Sequence, residues 1–394
     1  MTLTTKQEAG LNEAITRFKN HEKYITIAGY AGTGKTTLVK FIIDALDVNE
    51  DQVAYVSFTG KAAEVLRRKG NKNAMTLHKL LYDSIPRPGG GFFRRPKAML
   101  DYNIIVVDEV SMVPKTMVDM LLNHKVFVVF LGDPGQLPMI DKNEAHDLLN
   151  HPHVFLDEIM RQEAESEIIQ LTMKIRNGED IPYMKGNDVM VVPKQELVTG
   201  HLTWADQVIC ATNATRVSIN NQMRELLGFS GPLPQDGEKM ICLRNYWDDI
   251  SDSGELALVN GMTGIIHNPF ETFRDAPRYV KMRDHRIPLI QGEFITDDGE
   301  LFSHVDMDKH MIEYGEPFLD WRESYALGKL RNRIGDITPR AFTYGYAITC
   351  HKSQGSEWDK VTVLEESFPF DKEEHKRWLY TAATRSSEKL VILR

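Results

Sequence analysis

The chain has 394 residues, of which 42% are apolar and 26% are charged, and its net charge is −9. This length predicts two or three domains, and the composition is that of a soluble globular protein. No apolar run approaches the ~20 residues of a membrane helix, and the polar N-terminus lacks a signal-peptide core. The three cysteines, Cys210, Cys242 and Cys350, lie far apart, which suits a reducing cytosol and argues against a disulfide framework or a zinc site. The net negative charge argues against a protein that binds nucleic acid over its whole surface, but it allows a local basic channel.

The N-terminal part of the chain alternates apolar runs with amphipathic helical stretches. Four runs are predicted to be strands buried on both faces: Tyr24–Ala28, Val53–Phe58, Ile104–Asp108 and Val126–Asp133. Between the first two, Leu38–Leu46 has helical periodicity. Such alternation predicts a mainly parallel sheet wrapped by helices, with ligands at the carboxyl ends of the strands.

The stretch GYAGTGKT, residues 29–36, lies directly between the first predicted strand and the first helix. It fits the pattern GxxxxGK[ST], whose glycines let backbone N–H groups approach phosphates in front of a helix N-terminus. Lys35 would reach the β- and γ-phosphates, and the Thr36 hydroxyl would ligate Mg²⁺. The other predicted nucleotide contacts here are Gly29, Ala31, Gly32, Thr33, Gly34 and Thr37. ATP and Mg²⁺ are therefore the predicted cofactors.

Charged and amide side chains elsewhere are candidates for completing a hydrolytic site. Asp108 ends the third strand and would hold the Mg²⁺ shell, while Glu109 is placed to polarise the attacking water. Arg161 and Arg385 are candidate arginine fingers, although either alone is more often a surface or salt-bridge residue. The amide of Gln7 could read the adenine edge by paired hydrogen bonds, or it could be a solvated helix residue.

Two later segments differ in composition and periodicity from these strands and helices. Ser84–Lys97, SIPRPGGGFFRRPK, is too rich in proline and glycine to continue a helix, and a surface loop is its simplest interpretation. A polar connector, from about Arg176 to Thr203, leads to a second alternating region. Its predicted strands lie at Val208–Asn213, Phe342–Cys350 and Val361–Glu366. The intervening Gly264–Pro339 has short alternating strands, turns and the aromatic, charged stretch FLDWRESYALGKLRNR, which predicts a small β-rich module.

Eight motifs occur in this order: Gln7, GYAGTGKT, SFTGKAA, VVDEVSM, LGDPGQLP, IMRQ, YAITCHKSQGSEWD and LYTAATR. The series resembles that of superfamily 1 helicases, in particular the SF1B RecD-like and Dda branch, from about residue 4 to residue 390. Each motif taken alone has low specificity, but eight motifs in this order are specific to the family. The resemblance implies an α/β fold of two RecA-like P-loop NTPase domains, with parallel sheets flanked by helices. A short hairpin would be inserted in the first domain and an SH3-like β-rich module in the second.

The implied domain bounds are residues 1–175 for the first RecA-like domain, with a wedge hairpin at about 84–97. The second RecA-like domain would comprise 176–263 and 340–394, and the SH3-like module 264–339. The two RecA-like domains would face each other with ATP in the cleft.

The resemblance also implies how hydrolysis is coupled to motion. Gln136, in LGDPGQLP, would bond the γ-phosphate or its attacking water and lose that partner after hydrolysis. Arg385 would meet the phosphate only when the cleft closes, and Arg161 would lie near the domain junction. Glu357 would bind the ribose, and Gly355 would allow a close backbone approach.

Nucleic-acid contacts are implied by the same motifs. The residues concerned are Thr59, Lys61, Thr76, His78, Thr349, His351 and Lys352. A His or Thr at such a position is also an ordinary structural residue. Phe58 stands where relatives commonly have Pro, and it would stack a base or fill a core. Phe92 or Phe93 of the wedge would stack on the last base pair, an interaction worth ~1–3 kcal/mol per base, although the short, glycine-rich wedge puts strand separation in doubt.

The predicted function is an ATP-dependent DNA helicase that translocates on single-stranded DNA, with 5′→3′ polarity by family analogy alone. One alternative is a single-strand-stimulated translocase that displaces proteins and unwinds weakly, which the modest wedge favours. Another is a P-loop kinase or signalling NTPase, which leaves SFTGKAA, HKSQGSEWD and TAATR unexplained; an RNA helicase is a third.

The predicted partners are single-stranded DNA and its junctions with duplex, in replication, repair or recombination. A single-strand-binding protein or replisome component is a further candidate. The protein is predicted to be monomeric, away from membranes, in a bacterial or phage-infected host cytosol.

Overall fold

The structure is a computed structural model that describes residues 3–86, 92–139, 141–160, 165–196, 198–254, 256–297, 299–367 and 371–394. Its α-helices are α1 (Thr5–Lys19), α2 (Lys35–Ala45), α3 (Gly60–Arg68), α4 (Leu77–Leu81), α5 (Lys115–Leu122), α6 (Glu167–Asn177), α7 (Thr199–Thr203), α8 (Asn213–Leu226), α9 (Lys309–Tyr314), α10 (Trp321–Ile334), α11 (Cys350–Ser353) and α12 (Lys372–Ala383). Within this described part of the chain, no helix combines the length and the apolar character that a membrane crossing requires.

The strands are β1 (Tyr24–Gly29), β2 (Val53–Ser57), β3 (Ala74–Thr76), β4 (Tyr82–Pro86), β5 (Phe92–Pro96), β6 (Ile104–Val107), β7 (Phe127–Gly132), β8 (Val154–Leu156), β9 (Met184–Lys185), β10 (Val189–Val192), β11 (Gln207–Cys210), β12 (Lys239–Cys242), β13 (Tyr246–Ile250), β14 (Ala257–Leu258), β15 (Thr263–Asp275), β16 (Arg286–Thr296), β17 (Leu301–Asp308), β18 (Phe342–Tyr344), β19 (Ala347–Thr349), β20 (Trp358–Leu364) and β21 (Ser386–Leu393). Short 3₁₀ helices occupy Glu50–Gln52, Val110–Met112, Lys142–Glu144 and Lys194–Glu196.

The first sheet has six parallel strands in the order β3-β2-β6-β7-β1-β8. Its central strands are continuous apolar runs because helices cover both faces, so side chains of either parity are buried. Ile25 and Ile27 of β1, for example, are fully buried with Leu38 and Ile42 of α2. Since β6, β7 and β1 are neighbours, the loops at their carboxyl ends are brought together at one edge.

The second sheet has the order β19-β11-β20-β21-β10-β9, with β11, β20, β21 and β10 parallel and β9 antiparallel. Helices α6 and α12 pack on it through Leu171, Ile175, Trp378 and Leu379. Both parallel sheets belong to one compact unit, which comprises Met1–Leu81, Lys97–Asn213 and Ile348–Arg394.

A second compact unit comprises Tyr82–Pro96 and Ala214–Ala347. It contains a five-stranded sheet, β17-β16-β15-β12-β18, whose strand pairs are antiparallel. The segment expected at about 84–97 contains the antiparallel pair β4 and β5. Residues 87–91, between these two strands in the sequence, lie outside the described residues.

The bounds of the β-rich module in the structure differ from the range 264–339 implied by the sequence. Its sheet includes β12 and β18, which lie on either side of that range and pair with each other. The stretch Phe342–Cys350 is therefore divided: β18 joins the antiparallel sheet and β19 joins the second parallel sheet. Periodicity cannot assign so short a buried run to one sheet or another, because the choice depends on long-range hydrogen bonds.

Candidate nucleotide-binding and active site

The loop between β1 and α2 is shaped to receive phosphate. Gly32 and Gly34 have φ values of 73° and 74°, a left-handed conformation that glycine adopts readily. No described side chain caps α2, so its first N–H groups are available for an anion. Lys35 Nζ donates to the carbonyl oxygens of Gly29 at 2.8 Å and Tyr30 at 2.9 Å, which holds its ammonium group over the loop.

Gln7 supports this loop from α1. Its side chain is 1% exposed; Oε1 accepts from the Thr4 N–H at 3.0 Å, and Nε2 donates to the Thr33 carbonyl at 3.2 Å. A Cβ at Gly34 would lie 2.6 Å from Gln7 Nε2, so the two residues are in close contact. Both polar ends of the amide are engaged within the protein. In this structure Gln7 supports the phosphate loop, and its contact with adenine stays a prediction.

Asp108 and Glu109 follow β6 at the same edge of the sheet. Glu109 has a φ of 52°, and its N–H donates to Asp108 Oδ1 at 2.9 Å. Burial is the main reason that the pKa of the Asp108 carboxyl is raised to about 6, and repulsion by the Glu109 carboxylate is the second. The positive charge of Lys35 acts in the opposite direction and lowers this pKa. Such a carboxylate would be stabilised by a nearby cation.

The loop after β7 is tied to the second sheet through Tyr380 of α12. The Tyr380 hydroxyl donates to Asp133 Oδ2 at 2.6 Å and accepts from the Ala31 N–H of the phosphate loop at 3.0 Å. A Cβ at Gly135 would lie 3.0 Å from the tyrosine ring, which explains the need for glycine there. Burial raises the pKa values of both Asp133 and Tyr380. One hydroxyl thus links three motifs.

Gln136 lies between the acidic and basic groups of the site. With the amide orientation that satisfies both neighbours, it donates to Glu109 Oε2 at 3.2 Å and accepts from Arg385 Nη2 at 3.1 Å. Arg385 Nη1 is 3.8 Å from Glu109 Oε1. The arginine is only 5% exposed and is also held by the carbonyl of Ser356 at 3.2 Å. The predicted residues Glu109, Gln136 and Arg385 therefore form one connected group.

Two further bonds fix the same loop to the second sheet. The Leu137 N–H donates to Thr381 Oγ1, and Gln354 Nε2 donates to the Leu137 carbonyl, both at 2.8 Å. The loop from Asp133 to Leu137 is thus held by α12 and by the segment after α11.

These groups surround a cavity of about 200 Å³. The predicted site residues that line it are Ala31, Lys35, Thr36, Asp108, Glu109, Gln136, Gly355, Glu357 and Arg385. Gly29, Gly32, Thr33, Gly34 and Thr37 belong to the adjoining loop and helix start. The cavity is polar and carries both signs of charge, as a site for a phosphate and a cation requires.

Gly355 and Glu357 lie at the side of this cavity formed with α3. Gly355 has a φ of 74°, and a Cβ there would lie 3.0 Å from both Ala62 Cβ and Thr59 Oγ1. Glu357 forms an ion pair with Lys69 at 3.3 Å, and both side chains are largely exposed. Close packing at Gly355 therefore accompanies the approach of the second sheet to α3.

The predicted nucleic-acid residues fall at two places in this unit. Phe58 and Thr59 follow β2, which pairs with β3; Thr76 ends β3 and His78 lies in α4, and the Phe58 and His78 rings are 5.7 Å apart. Thr59 Oγ1 caps α3 by accepting from the Ala62 N–H at 3.2 Å, and Lys61 lies in the first turn of that helix.

The second place is α11. Thr349 precedes the helix without capping it through its side chain, and His351 and Lys352 lie within it. Burial lowers the pKa of His351, which favours the neutral form of its ring. Thr76 Oγ1, at the first place, accepts from the Lys79 N–H at 3.2 Å.

Some predicted residues are not located, and some contributors were missed. Arg161 lies outside the described residues, as do the side chains of Phe92 and Phe93, whose backbones form β5. Tyr380 and Thr381 were missed, although LYTAATR places them five and four residues, respectively, before Arg385. A motif containing hydroxyl groups one helical turn from an arginine is the signal that could have indicated them.

Two family models match this chain. One, described as an AAA domain, matches residues 2–189, and the other, a UvrD-like helicase C-terminal domain, matches residues 344–393. Together they cover more than half of the chain. The first contains the phosphate loop and Gln136, and the second contains Tyr380 and Arg385.

Individual proteins are similar over most of this chain. The protein R530 of Acanthamoeba polyphaga mimivirus is 25% identical over 98% of this chain and 98% of its own length. The ATP-dependent RecD2 DNA helicase of Deinococcus radiodurans is 26% identical over 93% of this chain, which spans 46% of the length of that enzyme. The crystal structure of a Pif1 helicase from Bacteroides, in complex with ADP-AlF3 and ssDNA, has a TM-score of 0.53 at 19% identity and covers 100% of this chain and 92% of its own.

The fold likeness confirms the predicted class of two RecA-like domains built from parallel sheets and helices. The two family models match the two parts of the chain in which the predicted motifs occur. These matches, together with the RecD2 relative, support the identification of the chain as a superfamily 1B helicase of the RecD-like type.

Proposed function

We propose that this chain is an ATP-dependent DNA helicase that translocates 5′→3′ on single-stranded DNA and unwinds duplex by closing and opening two RecA-like domains. The observation that carries the proposal is the group formed by Glu109, Gln136 and Arg385, in which a hydrolytic carboxylate on the first sheet contacts an arginine beside the second. Hydrolysis in such a cleft changes how the two sheets are held together. The polarity comes from the family resemblance.

In this proposal the P-loop and the residues after β6 bind ATP and Mg²⁺. The residues fit the ion, because Thr36 and Asp108 line one cavity and the Asp108 carboxyl has a raised pKa that a cation would offset. No three His, Cys, Asp or Glu side chains among the described residues cluster as a metal site. That suits Mg²⁺, which takes one or two carboxylates and phosphate oxygens. When bound, the ion would neutralise phosphate charge.

Each remaining group has a role that its position supports. Lys35 would bind phosphate, and Glu109 would orient the attacking water. Arg385, which contacts Gln136, would stabilise charge on the transferred phosphoryl group, an effect worth ~10³-fold in rate or more. Glu357, on the cavity wall, would contact the ribose.

The proposed DNA track combines the two places described above. Thr59 and Lys61 would hold one phosphate region, and Thr349, His351 and Lys352 would hold another. Phe58 and His78, whose rings lie together, would contact bases or their sugars. The hairpin of β4 and β5 would act as the wedge at the junction with duplex.

The proposed domain bounds follow from which strands belong to each sheet. We assign the first RecA-like domain to residues 1–175 and the second to 176–213 with 348–394. The β-rich module comprises residues 214–347, which replaces the narrower 264–339 because β12 and β18 belong to its sheet.

A single-strand-stimulated translocase with weak unwinding is the second candidate function. It is favoured by the short wedge, in which β4 and β5 have five residues each. A single-strand-binding protein or replisome component would then be the natural partner. Cys210, Cys242 and Cys350 are buried and form no disulfide with any described residue, which suits a reducing cytosol.

The decisive experiment measures ATP turnover with and without single-stranded DNA, and then unwinding of duplexes with only a 5′ or only a 3′ overhang. We expect DNA to accelerate turnover and only the 5′-overhang substrate to be opened. Lys35→Ala should abolish both activities while preserving the circular dichroism spectrum. Turnover that is indifferent to DNA would contradict the helicase and the translocase alike. Strong stimulation without unwinding would favour the second candidate.

A further inference from the structure

Helix α10 in the second unit is a firmly held element. Asp320 accepts from the N–H groups of Arg322 and Glu323, and Glu323 in turn accepts from the Asp320 N–H at 3.0 Å, which completes a capping box. Leu327, 2% exposed, packs in a cluster with Leu289 of β16. One face of the helix is therefore fixed against the module, and its opposite face is presented in a defined orientation.

The opposite face is unusually aromatic for an exposed surface. Trp321 is 73% exposed and Tyr325, one turn later, is 62% exposed. The Arg322 guanidinium lies 5.3 Å from the Trp321 ring centroid, and the Lys329 ammonium lies 4.4 Å from that of Tyr325. We call this surface the α10 face and define it by Trp321, Arg322, Tyr325, Gly328, Lys329 and Arg333.

The charge on this face is positive. Arg322, Lys329 and Arg333 form no ion pair with any described residue, whereas the neighbouring Arg331 is paired with Asp248 at 2.5 Å. The α10 face carries no carboxylate, and the adjoining Asp320 is used as the helix cap. The chain as a whole has a net charge of −9. The α10 face is locally positive instead, because three cations that form no ion pair with a described residue surround its two exposed rings.

Exposed aromatic rings beside cations suit one class of partner, a single-stranded nucleic acid. Exposed aromatic side chains offer faces on which unpaired bases stack, and the cations offer contacts for the phosphates between them. Trp321 and Tyr325 are about 6 Å apart along the helix axis, and a Cβ at Gly328 would meet no atom within 4 Å, which leaves the surface open beside them. An acidic peptide would use the cations but would not need two exposed rings.

We propose that the α10 face is an additional binding surface for single-stranded DNA, separate from the motifs that line the track. This inference rests on the proposed function, because it assumes that the chain binds single strands. It adds a contact made by the β-rich module itself. The aromatic, charged stretch FLDWRESYALGKLRNR thereby acquires a specific role.

The first test replaces both rings, Trp321→Ala with Tyr325→Ala, in the full chain. We expect affinity for a fluorescent oligothymidylate to fall about tenfold or more, since stacking on each ring contributes on that scale. A matched control removes two other exposed rings, Tyr183→Ala with Tyr314→Ala, which are 62% and 68% exposed; its affinity should be unchanged. Phenylalanine at positions 321 and 325 should restore binding.

A second test replaces the cations, Arg322→Gln, Lys329→Gln and Arg333→Gln together. The slope of log affinity against log salt should become shallower by about 2 if all three contact phosphates of a single strand. The ring variant should leave that slope nearly unchanged, because stacking releases no counterions.

The outcomes separate this inference from the proposed function. If the wild-type chain fails to bind oligothymidylate, the proposed function is wrong. If it binds and the ring variant equals its matched control, the α10 inference is overturned. It is equally overturned if the ring variant loses affinity for a polyglutamate peptide but keeps its affinity for DNA.

Discussion

At the scale of single residues, Tyr380 is where the phosphate loop, the loop after β7 and the second sheet meet. Its hydroxyl has two partners, the Ala31 N–H and the Asp133 carboxylate, and both Tyr380 and Asp133 are 2% exposed. Removing a buried hydroxyl leaves its partners unsatisfied at a cost of about 1–3 kcal/mol. The residue is therefore suited to link nucleotide binding to the arrangement of the two sheets.

Tyr380→Phe should reduce the coupling between nucleotide and DNA binding. The measurement is the affinity for oligothymidylate with and without a non-hydrolysable ATP analogue, and the ratio of the two affinities should move towards one. Tyr246→Phe is the matched control, because it removes a hydroxyl that accepts from the Ala341 N–H at 2.6 Å in the other unit. Equal ratios in the two variants would show that Tyr380 is merely structural.

Gln136→Ala should separate hydrolysis from movement. The substitution removes the amide between Glu109 and Arg385 and leaves the phosphate loop intact. We expect nucleotide affinity to stay within about twofold of the wild type, and unwinding to fall about tenfold more than DNA-stimulated ATP turnover, a difference of ~1.4 kcal/mol in coupling. Wild-type unwinding by this variant would remove Gln136 from the coupling route.

At the scale of elements, the hairpin of β4 and β5 is the candidate wedge. Its register pairs Ile85 with Phe93 and Pro86 with Phe92, which places both phenylalanines at the strand end nearest the turn. Phe92→Ala with Phe93→Ala should slow duplex opening about tenfold, because each lost stack is worth ~1–3 kcal/mol. DNA-stimulated ATP turnover should change little. Parallel losses of both activities, measured on the same preparations, would count against a wedge.

The same scale shows what the sequence could reveal. The four apolar runs in the first part of the chain became β1, β2, β6 and β7, because strands buried on both faces are recognisable from their own residues. The allocation of β12 and β18 to the antiparallel sheet was not predictable, since their pairing joins residues at least a hundred positions apart, such as Cys242 and Phe342. Motif order likewise located Glu109, Gln136 and Arg385. The role of Tyr380 needed coordinates, because its partners Ala31 and Asp133 are distant in sequence.

At the scale of the whole molecule, each compact unit contains buried apolar clusters of its own, two in the first unit and one in the second among those described above or built around Leu289 and Leu327. The second unit contains a buried ion pair: Arg224 Nε donates to Glu238 Oε1 at 2.6 Å, and the arginine also donates to the carbonyls of Gly231 and Leu233. Glu238 is fully buried. Breaking such a pair on one side leaves an uncompensated charge and costs about 3–5 kcal/mol. The nucleotide site, in contrast, lies entirely in the first unit.

Glu238→Gln should therefore destabilise the second unit selectively. In scanning calorimetry we expect one transition to fall by about 10 °C, while a non-hydrolysable ATP analogue with Mg²⁺ raises only the other transition, because a ligand stabilises the unit that binds it. Asp119→Asn is the control: it breaks the exposed pair with Lys115 at 2.7 Å and should shift neither transition appreciably. A single transition that both the substitution and the nucleotide displace would mean that the two units unfold as one, and that the nucleotide site and the β-rich module share their stability.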